Sequence, residues 1–239
     1  MTASSNPLQA DESLARLAAV YGRIAAATER AGRAADSVQL LAVSKVQPVE
    51  KIRALYAAGQ RDFGENYVQE LEAKVRDLSD LSGVQWHLIG PLQSNKTRVV
   101  AECAHWVHSV DRLKIAERLS AQRPNSMAAL NVCIQVNISG EASKSGCQPD
   151  ETVALAVAAS QLPGIRVRGV MGMPEPDVGA EVTRAQFSLL AGLYAQARTA
   201  VPGMDTLSMG MSDDLEIAVA CGSTMVRVGT ALFGARVAN

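Results

Sequence analysis

"LLAVSKVQP" (residues 40–48) decides how the chain is to be read. Four apolar residues and Ser44 lead into Lys45, and Pro48 ends the run. A short run that is apolar on both faces is the signature of a strand covered on both sides by helices. A lysine at the end of such a strand carries a desolvation cost, so its presence asks for a role.

Seven further runs have the same form. With the first, they are read as strands at 39–45, 61–66, 86–90, 105–110, 131–137, 167–173, 206–210 and 224–229. Helical periodicity fills the gaps in "PVEKIRALYAAG", "YVQELEAKVRDL", "DRLKIAERLSAQ", "PDETVALAVAAS" and "VTRAQFSLLAGLYAQART", and more weakly in "SNKTRVVAEC". Strands that alternate with helices imply a parallel sheet. Eight such units in about 200 residues predict an α/β fold, a single (β/α)8 TIM barrel over 39–234. A doubly wound open sheet alternates in the same way and is the rival. Ahead of the first strand, Leu14, Leu17, Ala18, Tyr21 and Ile24 form an apolar stripe that predicts an extra helix over 11–32, capped by Asp11 and stopped by Gly32. No linker or repeat divides the 239 residues, so one domain over 1–239 is expected.

Composition narrows the function. The chain is 48% hydrophobic and 20% charged, with a formal net charge of −1. That argues against nucleic-acid or membrane-surface binding driven by bulk charge. Aromatics at 4% argue against an array of base-stacking rings. No apolar stretch reaches the length of a membrane span, and "MTASSNPLQADES" lacks the form of a secretion signal. Cys103, Cys133, Cys147 and Cys221 form no zinc spacing, and three histidines without carboxylate spacing form no metal site. A cytoplasmic monomer with reduced thiols and no metal is the expectation.

Parallel barrels carry their sites at the carboxyl ends of the strands. There the sequence places Lys45, Glu65, Asn66, Asn137, Ser208, Ser212, Arg227, Gly229 and Thr230. The loops after strands 7 and 8 of a barrel frequently bind phosphate. "LSMGMS" and "VRVGTALFG" supply hydroxyls, glycines and a helix start there, although each glycine alone also suits an ordinary turn. A partly desolvated lysine attacks carbonyls. An amine opposite a phosphate cradle suits a phosphorylated aldehyde, and pyridoxal 5'-phosphate fits both ends. Arg227, pointing inward between them, cannot accept a proton and would keep a pyridine nitrogen neutral. Other roles stay open: Lys45 as a snorkelling strand-end residue, Asn66 as a helix cap, Glu65 as a lysine's partner, His87 as a core residue, Lys144 as a solvated loop residue. Asp213 and Asp214 suit a helix start, and "VMGMP" and "LSMGMS" suit packing.

The ordered strings "LLAVSK", "FGENYVQE", "WHLIGPLQSNK", "HSVDR", "VNISGEASKSG", "LSMGMSDDLE" and "GSTMVRVGTALFGAR" resemble the pyridoxal phosphate homeostasis family over nearly the whole chain. The resemblance implies a barrel like the cofactor domain of bacterial alanine racemases. It implies Lys45 as the Schiff-base lysine and Arg227 as the partner of the pyridine nitrogen. It further implies phosphate around Ser208, Gly229 and Thr230, and Asn66 beside the ring. Two departures stand out: "SKVQP" where many relatives read "SKTKP", which replaces a lysine by Gln47, and "VMGMP" for an "LMAIP"-type segment.

Two functions compete. One is a carrier that binds pyridoxal phosphate as a Schiff base, supports vitamin B6 homeostasis and serves apoenzymes. The other is a racemase using the same cofactor. Racemisation needs a second acid/base facing the lysine. About nine residues follow "VGT", Tyr67 begins a helix and Tyr194 lies within one, so that partner is not evident. A Schiff-base aldolase acting on sugar phosphates is a third reading. The carrier reading, not an enzyme, is the expectation.

Overall fold

The computed structural model describes residues 7–141 and 145–234. A long helix comes first, α1 (Pro7–Arg30). Strands and helices then alternate. They are β1 (Gln39–Val43), α2 (Val49–Ala57), β2 (Asp62–Glu65), α3 (Val68–Asp77), β3 (Gln85–Leu88), α4 (Thr97–Cys103), β4 (Trp106–Val110) and α5 (Leu113–Gln122). The series continues with β5 (Leu130–Val136), α6 (Thr152–Ser160), β6 (Ile165–Gly172), α7 (Ala180–Ala200), β7 (Thr206–Ser208), α8 (Leu215–Ala220), β8 (Met225–Val228) and α9 (Thr230–Phe233). Single 3-10 turns lead into α4 and α6.

Each strand pairs in parallel with the next, and β8 returns to pair with β1, Leu41 opposite Arg227 and Ala42 opposite Val228. That closure excludes the open-sheet rival and gives the TIM barrel. Leu40 and Ala42 face outward into the layer between sheet and helices, which holds most of the apolar core. Inside the barrel a small cluster of Trp106, Cys133 and Met171 shares space with buried histidines. Among the described residues no helix is long and apolar enough to cross a membrane.

The strands are shorter than their apolar runs. β1 stops at Val43, because Ser44 donates a last ladder bond to the Gly64 carbonyl (2.9 Å) and the chain then turns, Gln47 N–H to Ser44 carbonyl at 3.0 Å. Lys45 therefore lies in the turn after β1. β7 likewise stops at Ser208, which leaves Ser212 in the following loop. The weakly periodic segment at 94–103 is helical throughout.

The first helix is described from Pro7, so Asp11 lies within it rather than at its cap. It ends near the expected stop: Gly32 takes φ 63°, and Arg33 N–H returns to the Thr28 carbonyl at 2.9 Å. Its buried stripe is Leu17, Val20, Ile24 and Ala27, rotated from the expected one, with Leu14, Ala18 and Tyr21 exposed. The rotation follows from Arg23, which donates to both Glu216 oxygens (2.9 Å each) and to the Ser212 carbonyl (2.8 Å). Either stripe satisfies helical spacing, and only the docked partner chooses between them.

Since α1 packs on α2, α8 and α9, Ile24→Ala should remove about 2–5 kcal/mol from the stability of the whole barrel. Urea unfolding should show one transition moved to lower denaturant. A separate early transition, with the main midpoint unmoved, would mean that α1 is not part of the cooperative unit.

Candidate functional site

At the carboxyl ends of the strands lies a cavity of about 280 Å³. Lys45, Asn66, Ser212, Arg227, Gly229 and Thr230 all line it, with Val43, Ile89, Gly90, Pro91, Gln135, Ser145, Met173, Met211 and Asp213. One anticipated residue does not. Ser208 is fully buried beneath Arg227, whose Nη1 donates to the Ser208 hydroxyl (2.9 Å) and carbonyl (2.7 Å). Ser208 thus supports the guanidinium from below, because β7 turns its side chain into the barrel rather than up into the loop. Lys144 lies outside the described residues.

Lys45 is held through its neighbours. Ser44 donates its hydroxyl to Glu65 Oε1 (2.5 Å) and receives Lys74 Nζ on its carbonyl (2.7 Å). Lys74 Nζ also binds Glu65 Oε1 (2.8 Å) and Glu70 Oε2 (3.3 Å), and Glu70 Oε2 accepts the Val46 N–H at 2.8 Å. This clamp fixes the backbone on both sides of Lys45. It also holds Val46 at φ 60°, a left-handed conformation that a β-branched residue adopts only under constraint. Glu65 and Lys74 are buried, and desolvation raises the Glu65 carboxyl against the lowering pull of Lys74 and Ser44. Glu65 therefore pairs with a lysine and does not line the cavity. Gln47 accepts from Lys51 (3.1 Å), which also reaches the Phe233 carbonyl (2.9 Å), so it ties α2 to the end of α9.

Asn66 sits just after β2. The N-cap position of α3 belongs to Tyr67, which removes the capping role. The Asn66 Oδ1 is buried and, among the described residues, has no hydrogen-bond partner. Its backbone is pressed against Gly90, where a Cβ would come within 2.0 Å of the Asn66 carbonyl oxygen. Only glycine permits that approach. Asn137 builds its own loop, donating to the Glu141 carbonyl (2.8 Å) and accepting from Ser139 and Gly140.

Arg227 projects upward from inside the barrel. Its Nη2 donates to the Gly172 carbonyl (3.1 Å), and burial pushes its pKa down to about 10, against the opposing influence of Asp214 and Cys133. Gly210, at φ 97°, turns the loop after β7 so tightly that a Cβ would lie 2.5 Å from that of Ala218. Met211 N–H then meets Asp214 Oδ1 (2.5 Å), and Ser212 lines the cavity together with Gly229 and Thr230. Beneath Arg227 a polar chain continues. His108 Nδ1 lies 3.0 Å from Ser208 Oγ, His108 Nε2 is 2.9 Å from His87 Nδ1, and His87 Nε2 is 3.1 Å from Asp62 Oδ1.

Sequence reading missed Ser44, Lys74, Glu70, Gly90 and His108. Lys74 and Glu70 sit among charged residues of an amphipathic helix, where nothing distinguishes a buried pair from a solvated one. The alternation of His87 and His108 with apolar neighbours in adjacent strands was the available signal.

A family model described as the alanine racemase N-terminal domain matches residues 16–237. The pyridoxal phosphate homeostasis protein of Pseudomonas aeruginosa is 56% identical over 220 residues, covering 92% of this chain and 94% of that one. The structure of PipY from Synechococcus elongatus with pyridoxal phosphate bound is 39% identical, with a TM-score of 0.78, covering 93% of this chain and 100% of that one. An alanine racemase from Corynebacterium glutamicum shares the fold at 18% identity and a TM-score of 0.70, covering 95% of this chain and 62% of that one.

Lys74→Met would leave Glu65 buried without its cation and should cost about 3–5 kcal/mol in urea unfolding. Adding Glu65→Gln should recover most of that loss. A single variant of wild-type stability would show that the pair does not fix the loop. The buried imidazoles give a second expectation. Burial lowers His87 despite Asp62, and burial with His87 and Arg227 holds His108 well below the ordinary histidine value. Below about pH 6.5 the unfolded chain then binds protons that the folded barrel does not, so stability falls on acidification. Stability should fall steadily between about pH 6.5 and about pH 5.5. A flat stability profile across that interval would mean that these rings are not held neutral.

Proposed function

Because this chain belongs to the family of the alanine racemase N-terminal domain and, within it, to the pyridoxal phosphate homeostasis proteins, we propose that it binds pyridoxal 5'-phosphate at the barrel mouth and holds and releases it without robust turnover. One observation carries this reading. A lysine amine, an inward guanidinium and a loop pair bearing Ser212, Gly229 and Thr230 line the same cavity.

The residues suit the group. When bound, pyridoxal phosphate offers an aldehyde to an amine as a Schiff-base partner, and Lys45 is the cavity's lysine among the described residues. Arg227 has donors only, so toward a pyridine nitrogen it gives a hydrogen bond and no proton. It leaves the ring neutral and a weaker electron sink. Asn66 brings a buried carboxamide whose oxygen lacks a partner among the described residues, and it offers an acceptor and two donors to a ring hydroxyl. Ser212 and Thr230 bring hydroxyls to the phosphate, with Gly229 beside them. Ser208 belongs to the support of Arg227 rather than to that cradle.

The lining supports holding without turnover. Apart from Lys45 and Arg227, Asp213 is its one ionisable side chain among the described residues, and it adjoins Ser212. A racemase needs a second acid/base across the ring from the lysine. The reading entails the cofactor and the apoenzymes that use it as partners, met by a cytoplasmic monomer.

The test is borohydride reduction of the purified protein with pyridoxal phosphate, followed by peptide mass spectrometry. A pyridoxyl adduct on Lys45, absent from Lys45→Ala, is expected. An adduct elsewhere, or none, overturns the assignment. Incubation with L-amino acids should leave their chirality unchanged, and racemisation at ordinary enzyme rates would overturn the carrier reading.

A further inference from the structure

The polar chain inside the barrel has a direction. Its interior members, His87, His108 and Ser208, are fully buried, and Arg227 is 4% exposed. In such surroundings each donor needs an acceptor, and a mismatched pair is costly. The two ends of the chain settle the pairing. At one end the Asp62 carboxylate only accepts, so His87 carries its proton on Nε2 (3.1 Å). A neutral imidazole has one N–H, so His87 Nδ1 is an acceptor. His108 Nε2 must then be the donor across the 2.9 Å contact, and His108 Nδ1 accepts the hydroxyl proton of Ser208 at 3.0 Å. At the other end Arg227 only donates, and its Nη1 meets the Ser208 Oγ lone pair at 2.9 Å. Every hydrogen bond points from Arg227 toward Asp62.

The opposite direction fails at both ends. His87 Nε2 would turn a lone pair toward the Asp62 carboxylate. Ser208 would receive protons from His108 and Arg227 together, and its own hydroxyl proton would have lost its acceptor. Asp62 is the group that forbids this arrangement, and it stands at the first residue of β2, the end of the strand away from the cavity.

The direction bears on Arg227. Ser208 takes Nη1 on its hydroxyl and carbonyl, and the Gly172 carbonyl takes one Nη2 hydrogen. Among the described residues, Nε–H and the second Nη2 hydrogen have no partner. These donors are left over on a side chain that lines the cavity.

We propose that Asp62, through His87, His108 and Ser208, is a remote positioning residue for Arg227: it fixes both imidazole tautomers and thereby turns a Ser208 lone pair, not its hydroxyl proton, toward the guanidinium. The consequence for pyridoxal phosphate rests on the function proposed above; the tautomers do not.

Long-range 1H–15N correlation NMR of the full chain without cofactor tests the chain directly. The protein has three histidines, so single His→Gln variants assign them. His105 serves as an internal reference, since its Nδ1 accepts the Trp86 N–H at 3.0 Å. The expected result is that His87 and His108 are both neutral with the proton on Nε2. Asp62→Asn should keep that pattern, because a carboxamide oxygen accepts the same N–H. Asp62→Ala should give mixed or reversed tautomers and weaken pyridoxal phosphate retention roughly tenfold, while Asp62→Asn stays within about twofold of wild type. A proton on Nδ1 of either ring in the wild-type protein, an imidazolium at neutral pH, or an Asn variant that behaves like Ala would overturn the proposal. The wild-type spectrum decides even if Asp62→Ala does not fold. Failure of the wild-type protein to bind pyridoxal phosphate would instead count against the proposed function, with the tautomer pattern still read.

Discussion

Closure of the barrel between β1 and β8 is the constraint on which the site depends. Gln39 meets Met225 and Ala42 meets Val228, residues separated by most of the chain. Loop-closure entropy rises only slowly with length, so bringing distant strands together is affordable once seven shorter pairings have formed. The register does the rest. With Leu41 opposite Arg227, the turn carrying Lys45 emerges beside Gly229 and Thr230, and the Val43 carbonyl lies 3.3 Å from where a Gly229 Cβ would be. A slip of one residue would turn Arg227 out into the helix layer, since side chains alternate faces along a strand.

Closure brings the amine and the guanidinium together, and two polar frames then hold them. The frame for Lys45 lies outside the barrel wall, in the buried Glu65–Lys74 pair and Glu70. The frame for Arg227 lies inside the wall, in Ser208, His108, His87 and Asp62. Both are expensive kinds of structure. A buried ion pair often contributes little net stability, and a buried polar chain helps only when every member is satisfied. Their retention makes sense where position matters more than stability: one frame keeps a backbone turn at an unfavourable φ, the other keeps a desolvated cation aimed.

The fold was legible because its signals are local and repeated. Runs such as 39–45 and 131–137 are apolar on both faces, and helical periods separate them, so a parallel sheet follows from pattern alone, and the β8–β1 pairing then chooses the barrel over the open sheet. The ends of strands were less legible: Ser44, Lys45 and Gln47 look like a continuation of β1 until the Ser44 turn is seen. Six of the seven anticipated site residues line one cavity because strand ends, loops and the chain's closure put them there. Ser208 was misplaced because β7 stops there, two residues before the end of the run at 206–210, and turns that side chain into the barrel beneath Arg227. Lys74 and His108 were illegible in their roles, since each acts through partners distant in sequence.

The two frames grip different parts of their residues. The clamp around Lys45 acts on the backbone of Ser44 and Val46, so it fixes where the side chain starts. Arg227 is gripped by its guanidinium, through three bonds to Ser208 and Gly172, so its frame fixes where the side chain ends. Loss of the first frame would displace the turn after β1. Loss of the second would re-aim a buried cation while the backbone of β8 stayed held by its ladder to β1.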